Sequence, residues 1–186
     1  IDYVATLGDE GEPPSSTTVV APNGFILGRS GWGGEGRSYA EETSYSLRYG
    51  PQIRSHQHED RGGITFFSGG RDWITDPGSY NYEPKDPFRR HLRSRQAHNL
   101  VVVDDREYAP AGHVRLERAE VSDHAHDYAV VDRNYEGVAL RRRLVYLPGL
   151  DLGIVIDHFD ADKQVTARQL WPVSYTHLRA HETKAN

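Results

Sequence analysis

Residues 138–158 of the chain read VALRRRLVYLPGLDLGIVIDH. This stretch contains two strand-like runs, Val138–Tyr146 and Gly153–His158, and the intervening Pro148-Gly149 is typical of a turn. Apolar and polar side chains alternate in the first run, as expected where one face of a strand packs on a core and the other meets water. We interpret Arg141–Arg143 as a solvated face. The stretch therefore predicts antiparallel strands.

Similar runs recur along most of the chain and are separated by turn signals such as Gly69-Gly70. They are Gly24–Ser30, Thr43–Tyr49, Ile64–Ser68, Trp73–Thr75, Leu100–Val103, Val114–Val121, Tyr128–Asp132 and Gln164–Trp171. No window shows a sustained helical period. We therefore predict an all-β domain, an antiparallel β-sandwich.

The two ends of the chain differ from the strand-like region. Residues 8–16 are polar and rich in Pro and Gly, so we assign residues 1–22 to a linker and leading segment, and residues 23–172 to the sandwich. Residues 173–186 are similar to a translated sequencing-adapter read-through, and we expect them to be a non-native tail. The chain begins at Ile1 and contains no Met, so we expect it to be a fragment of a longer protein.

Composition limits the function further. The length of 186 residues suits one domain, and the formal net charge of −5 argues against non-specific nucleic-acid binding. No apolar run approaches the roughly 20 residues of a membrane span. Basic residues nevertheless cluster at Arg89, Arg90, Arg93 and Arg95. Guanidinium groups in a site would suit a substrate that carries carboxylates or sulfates.

Three short motifs carry candidate metal ligands. His56 and His58 are two residues apart, so they share a face if the segment is extended. Asp76 precedes Pro77-Gly78, where a turn would fix its carboxylate, and His98 opens a run that reads as a buried strand. Such N and O ligands hold Zn²⁺ or a similar divalent ion. Each residue alone could equally be an ordinary surface or core residue.

Several motifs together resemble the C-terminal β-sandwich of the heparinase II/III-like polysaccharide lyases, a family that includes alginate and oligoalginate lyases. The resemblance covers residues 24–171. The matching motifs are Gly24-Phe-Ile-Leu-Gly-Arg-Ser-Gly-Trp32, His56-x-His58-x-Asp60, Asp76-Pro-Gly-Ser-Tyr-Asn-Tyr82, Phe88-Arg-Arg90, and Arg93-Ser-x-x-Ala-His-Asn99 leading into Val101-Val-Val-Asp104. Ser55 departs from the Asn often found before the first His.

The resemblance implies roles for particular residues. It implies a structural zinc ion bound by His58, Asp76 and His98, and a cleft between the sandwich and an N-terminal α/α toroid. His56 would face the substrate as a catalytic residue, and Tyr82 would line the cleft in a catalytic role. Tyr80, in the same loop, would bind substrate. From their charge and their position beside His98, and not from the resemblance, we also expect Arg93 and Arg95 to bind substrate. The parent protein would be periplasmic or secreted.

The implied reaction is β-elimination on an acidic polysaccharide. The C5 proton of a uronate lies α to a carboxylate and becomes acidic only when that charge is neutralised. A base removes this proton and an acid protonates the departing 4-O-linked sugar, which leaves an unsaturated uronate. In the family most of this chemistry comes from the toroid, so we expect the isolated chain to be inactive.

Two other functions fit parts of the sequence. One is a non-catalytic carbohydrate-binding sandwich in which a metal only holds loops together. The other is a non-haem iron oxygenase, because two His and a carboxylate also form its facial triad. The order His-x-His followed by Asp and His disfavours the oxygenase, which would favour His-x-Asp/Glu with a distant His.

Overall fold

The computed structural model describes residues 2–34, 36–51, 57–78 and 80–172. Most strands belong to two antiparallel five-stranded sheets. The first contains, in spatial order, β1 (Thr18–Ala21), β2 (Phe25–Arg29), β3 (Ser44–Arg48), β5 (Ile64–Ser68) and β6 (Arg71–Ile74). The second contains β11 (Leu152–Ala161), β10 (Val138–Leu147), β9 (His126–Tyr135), β8 (His113–Val121) and β4 (Gly50–Pro51). A separate pair joins β7 (Val101–Val103) to β12 (Ala167–Gln169).

The core lies between the two large sheets, and strands such as β2, β3 and β10 turn alternate side chains into it. Its buried members are Ile26, Tyr45, Leu47, Tyr49, Ile64, Val114, Tyr128, Val130, Leu144 and Tyr146. Residues 138–158 form most of the hairpin β10–β11, whose register runs from Val138 opposite Ala161 to Leu147 opposite Leu152. The predicted antiparallel β-sandwich is confirmed.

Helices are short. The structure has α1 (Asp2–Ala5), α2 (Pro87–Leu92) and two single-turn 3-10 helices, Arg95–Ala97 and Pro148–Leu150. Asp86 caps α2 by accepting hydrogen bonds from the backbone amides of Phe88 and Arg89, at 2.8 and 3.0 Å. Six residues are too few to show a helical period in the sequence. The Asp86-Pro87 pair is the sequence signal that is typical of its start.

Sequence reasoning was wrong about one arginine of the 141–143 run. Arg141 and Arg143 face outward and pair with Glu117 and Asp127. Arg142 is 2% exposed and lies on the inward face of β10, where it forms an ion pair with Asp157. Side chains of a strand alternate between its two faces, so Arg142 points inward while its neighbours point outward. Three consecutive arginines gave no sign of this alternation in the sequence.

The first sheet begins earlier in the chain than the strand pattern of the sequence indicated. β1 pairs with β2 from Thr18 opposite Gly28 to Ala21 opposite Phe25, within the segment assigned to the leading linker. A four-residue edge strand with two exposed valines, Val19 and Val20, shows no clear alternation of buried and exposed positions. That is why sequence analysis missed it.

Candidate metal centre

Three chain segments meet at one end of the first sheet. Residues 57–63 lead into β5, residues 75–78 follow β6, and the 3-10 helix Arg95–Ala97 precedes His98. The side chains of His58, Asp76 and His98 converge there, with one potential ligand atom from each lying within 4.8 Å of the others. The structure therefore brings together the three residues that the resemblance implies as ligands.

The spacing of these atoms fits a single small cation. His58 Nδ1 lies 3.2 Å from His98 Nε2, and His98 Nε2 lies 3.5 Å from Asp76 Oδ2. Two ligand atoms that are each about 2.0–2.1 Å from Zn²⁺ at a tetrahedral angle are about 3.3 Å apart. Two imidazoles and one carboxylate also form a donor set that suits zinc. The residues present therefore fit the ion, and a fourth position would be open.

His98 is oriented by its second ring nitrogen. Its Nδ1 lies 2.8 Å from the carbonyl oxygen of Ser94, and because a carbonyl only accepts, Nδ1 carries the proton. The neutral ring therefore has its lone pair on Nε2, which faces His58 and Asp76. Metal-ligating histidines commonly use their other nitrogen in this way.

Asp76 is held by the turn that sequence analysis expected. Its Oδ1 accepts a hydrogen bond of 2.9 Å from the backbone amide of Gly78, whose φ of +69° favours glycine. Oδ2 is the atom that faces His98. The Asp76 side chain is 44% exposed, so this ligand lies on the open side of the cluster.

His58 lies in a loop that leads into β5. The Glu59 amide donates to the Arg93 carbonyl at 2.9 Å, and Arg93 Nη2 donates to the Gln57 carbonyl at 2.7 Å. These two bonds pin the loop on both sides of His58. Burial lowers the pKa of the His58 imidazole, and the nearby His98 lowers it further, which favours the neutral form that a metal requires.

A cavity of about 380 Å³ opens beside the cluster, and all three cluster residues line it. Its wall also contains Arg48, Asp60 and Asn99. Arg48 is a buried cation whose Nε lies 3.9 Å from Asp60 Oδ1. Among the described residues, neither Asp60 Oδ1 nor Asn99 Oδ1 has a hydrogen-bond partner.

A groove with a larger volume, about 680 Å³, adjoins this cavity and is lined by residues of the first sheet. The two share Ser46, Thr65 and Asp76 in their walls. Farther along the groove, Trp32 stacks on Tyr39 with ring centroids 6.3 Å apart. The candidate metal centre therefore lies at one end of an extended surface.

The other residues implied by the resemblance lie elsewhere or outside the described part of the chain. His56 falls in the segment 52–56, outside the described residues, so its catalytic role stays a prediction. Tyr80 and Tyr82 lie in the loop after Asp76 and are 67% and 77% exposed. Neither lines the cavity, and Tyr82 stands beside the guanidinium of Arg89, which lies 5.6 Å from its ring.

The arginine cluster divides into different environments. Arg93 is half-buried beside His58, whereas Arg90 is exposed on α2 and Arg89 is buried. Arg95 is 5% exposed and stacks over Tyr108 at 4.0 Å. Its Nε donates to the Tyr135 hydroxyl at 3.0 Å. This placement makes Arg95 a residue of the fold, contrary to the substrate-binding role expected from the sequence, and leaves Arg93 as the cation next to the site.

Sequence reasoning missed two residues of the cavity wall, Arg48 and Asn99. Arg48 ends β3 and donates to the Gly24 carbonyl at 2.7 Å, a contact with no sequence signal. Asn99 directly follows His98, and its adjacency to a candidate ligand was the available signal. Its side-chain Nδ2 donates to the Thr75 carbonyl at 2.6 Å.

The chain belongs to the family described as heparinase II/III-like, C-terminal, whose model matches residues 29–182. That match ends inside the segment assigned to a tail, residues 173–186, which lies outside the described residues. No curated protein sequence matches the chain. No helix of the described residues is long and apolar enough to cross a membrane.

Three solved structures share the fold. A heparinase III gene product is 19% identical with a TM-score of 0.82, over 97% of this chain and 28% of its own. Heparan sulfate lyase HepC from Pedobacter heparinus is 20% identical with a TM-score of 0.80, over 93% and 26%. A further heparinase III is 18% identical with a TM-score of 0.74, over 88% and 25%. The chain thus spans about a quarter of the length of these proteins.

Proposed function

We propose that this chain is the β-sandwich domain of a polysaccharide lyase that cleaves uronic-acid-containing polysaccharide by β-elimination. The observation that carries the proposal is the convergence of His58, Asp76 and His98 beside a groove, in a chain of the heparinase II/III-like family. The groove has a volume of about 680 Å³ and is lined by residues of the first sheet.

The proposed role of the metal centre is structural. Zn²⁺ held by His58, Asp76 and His98 would join three chain segments that are far apart in sequence, and such binding energy stabilises the folded state. The ion supplies positive charge at the end of the groove when it is bound. The chain itself contributes the two neutral imidazoles and the carboxylate that would hold it.

The proposed substrate is an acidic glycan. Arg93 stands beside the His58 loop, so one half-buried guanidinium group lies close to the cluster. Neutralising the uronate carboxylate is the step that makes the C5 proton removable. The names of the structural neighbours, heparinase III and heparan sulfate lyase, make a glycosaminoglycan the first substrate to test, and alginate-like polymers the second.

The proton transfers need groups that this chain does not supply alone. We assign them to an N-terminal α/α toroid of the parent protein, because the neighbouring structures are about four times as long as the region that this chain matches. His56 and Tyr82 would assist from the sandwich side, and Tyr80 would contact substrate. The parent would act in the periplasm or outside the cell.

The test uses this chain joined to the N-terminal domain of its parent. Heparan sulfate, alginate and a neutral glucan are incubated with the protein, and new unsaturated uronate is followed by its ultraviolet absorbance. We expect signal from an acidic polymer, a reduced rate in His56→Ala and Tyr82→Phe, and unchanged zinc content in both variants. Products without the unsaturated ring, or cleavage of the neutral glucan alone, would exclude a lyase. Binding without cleavage would identify a carbohydrate-binding module.

A further inference from the structure

We infer that Asn99 is a positioning residue for the metal centre, and that Arg142 holds it from inside the sandwich. The inference rests on the proposed metal site and adds residues that are not ligands. It concerns how three separate loops keep the spacing that one ion requires.

Asn99 links two of the three ligand-bearing segments directly. Its backbone follows His98, and its side-chain Nδ2 donates to the Thr75 carbonyl at 2.6 Å, one residue before Asp76. Asn99 is 2% exposed, so this bond is shielded from competing water. The side chain therefore fixes the distance between the His98 and Asp76 segments.

Arg142 extends the connection to the third segment. Its Nη1 donates to the Asn99 carbonyl and to the Gly62 carbonyl, each at 2.8 Å. Gly62 lies in the turn between His58 and β5. One guanidinium nitrogen thus joins the segment of His98 to the segment of His58.

The guanidinium is itself fixed by the second sheet. Arg142 Nε and Nη2 each lie 2.7 Å from a different oxygen of Asp157, on the neighbouring strand β11. Because β10 and β11 pair over ten residues, this anchor moves little relative to the core. The three loops are therefore held against a sheet that contributes no ligand.

Such support has a consequence for metal affinity. Ligands must be held within about 0.5 Å of their working positions, and losing an outer contact commonly costs about 10–100-fold in metal affinity. Asn99→Ala removes the donor to Thr75 and leaves all three ligands in place. We expect it to weaken Zn²⁺ binding by about 10–100-fold.

The experiment measures Zn²⁺ affinity by competition with a chromophoric chelator, and records the visible spectrum of the Co²⁺ form as a report on coordination geometry. The variants are Asn99→Ala and Asn99→Leu, of which the second keeps the side-chain size. Tyr45→Phe is the matched control, because it removes a buried hydrogen bond to His126 without touching a ligand segment. Circular dichroism checks that each variant is folded.

The inference predicts weaker Zn²⁺ binding and an altered Co²⁺ spectrum in a folded Asn99 variant, with Tyr45→Phe resembling the wild type. Wild-type affinity in both Asn99 variants would overturn it, as would an equal loss in Tyr45→Phe, which would indicate a general effect of stability. If the folded wild type binds no Zn²⁺, the proposed metal site fails and this inference fails with it. Binding by the wild type with no effect of Asn99 overturns the inference alone.

Discussion

Arg142 and Asp157 form a two-point ion pair inside the sandwich, with both nitrogen-to-oxygen distances at 2.7 Å. Both side chains are almost completely buried, at 2% and 4% exposed. A buried pair of this kind gains little over an apolar pair, but removing one partner leaves an uncompensated charge. The pair therefore makes the core sensitive to single substitutions.

Arg142→Met should lower the free energy of unfolding by about 3–5 kcal/mol, because Asp157 would stay buried without its cation. Adding Asp157→Leu should restore part of that loss. Urea denaturation of the single and double variants measures both effects. Arg141→Met is the matched control, since Arg141 pairs with Glu117 on the surface, and we expect it to change little. A single variant as stable as the control would contradict the structural role.

Asp151 is a second centre of polar contacts, and its side chain is 28% exposed. Its carboxylate accepts hydrogen bonds from Arg37, Thr43, Ser68 and Tyr146. Burial alone would raise the pKa of Asp151, but these bonds outweigh it and hold the pKa well below the usual range. The stabilisation is therefore present above the unfolded pKa of about 3.9 and is lost as the pH falls below it.

Asp151→Asn should lower the stability at pH 7 by about 2 kcal/mol, in line with the loss of hydrogen bonds to a charged group. Asn tolerates the left-handed backbone at this position, where φ is +49°, so the change tests the charge. The difference from the wild type should shrink as the pH falls below about 4. Urea melts over a pH series measure it, with the exposed Asp123→Asn as control. A difference that does not depend on pH would contradict the prediction.

His126 should also lose its contribution to stability as the pH falls, but at a higher pH than Asp151. It is 5% exposed, its Nδ1 lies 2.7 Å from the Tyr45 hydroxyl, and burial lowers the pKa of its imidazole. The unfolded chain then takes up a proton more readily than the folded one. The stability contribution is full above about pH 6.5 and declines as the pH falls below it. His126→Asn should flatten this part of the stability profile, and an unchanged slope would contradict the prediction.

Substitutions of Arg93 and Arg95 should have different effects in the protein joined to its N-terminal domain. The first should change substrate binding, and the second should change stability. Arg93→Ala should raise the KM for an acidic polysaccharide and reduce the salt dependence of binding, because one cation beside the candidate metal centre is lost. Arg95→Ala should lower the melting temperature, because Asp132, 3.5 Å away, would lose its buried cation. Equal effects of the two variants on KM at equal stability would show that the distinction is wrong.

Sequence patterns could predict the fold because its signals are local. The alternation in residues 138–147 and the turn signal at Pro148-Gly149 need no knowledge of distant partners, and the β10–β11 hairpin follows from them. The inward turn of Arg142 could not be seen in the same way. Its partner Asp157 lies on the next strand, and the two flanking arginines made the run look uniformly solvated.

In the candidate site, too, some residues could be predicted from the sequence and others could not. The family resemblance implied His58, Asp76 and His98, and the structure brings them together. The supporting contacts depend on backbone carbonyls, such as that of Thr75 for Asn99, which any residue type can supply. No sequence pattern could reveal them, and burial was also needed to separate Arg95 from Arg93.

The metal content of the purified chain tests the central claim most directly. Elemental analysis should find close to one zinc per wild-type chain and little zinc in His58→Ala, with His124→Ala, on an exposed turn, as the matched control. The account predicts that zinc stays with the control and leaves with the loss of His58. Iron as the bound metal, no metal in the folded wild type, or full zinc retention in His58→Ala would contradict it.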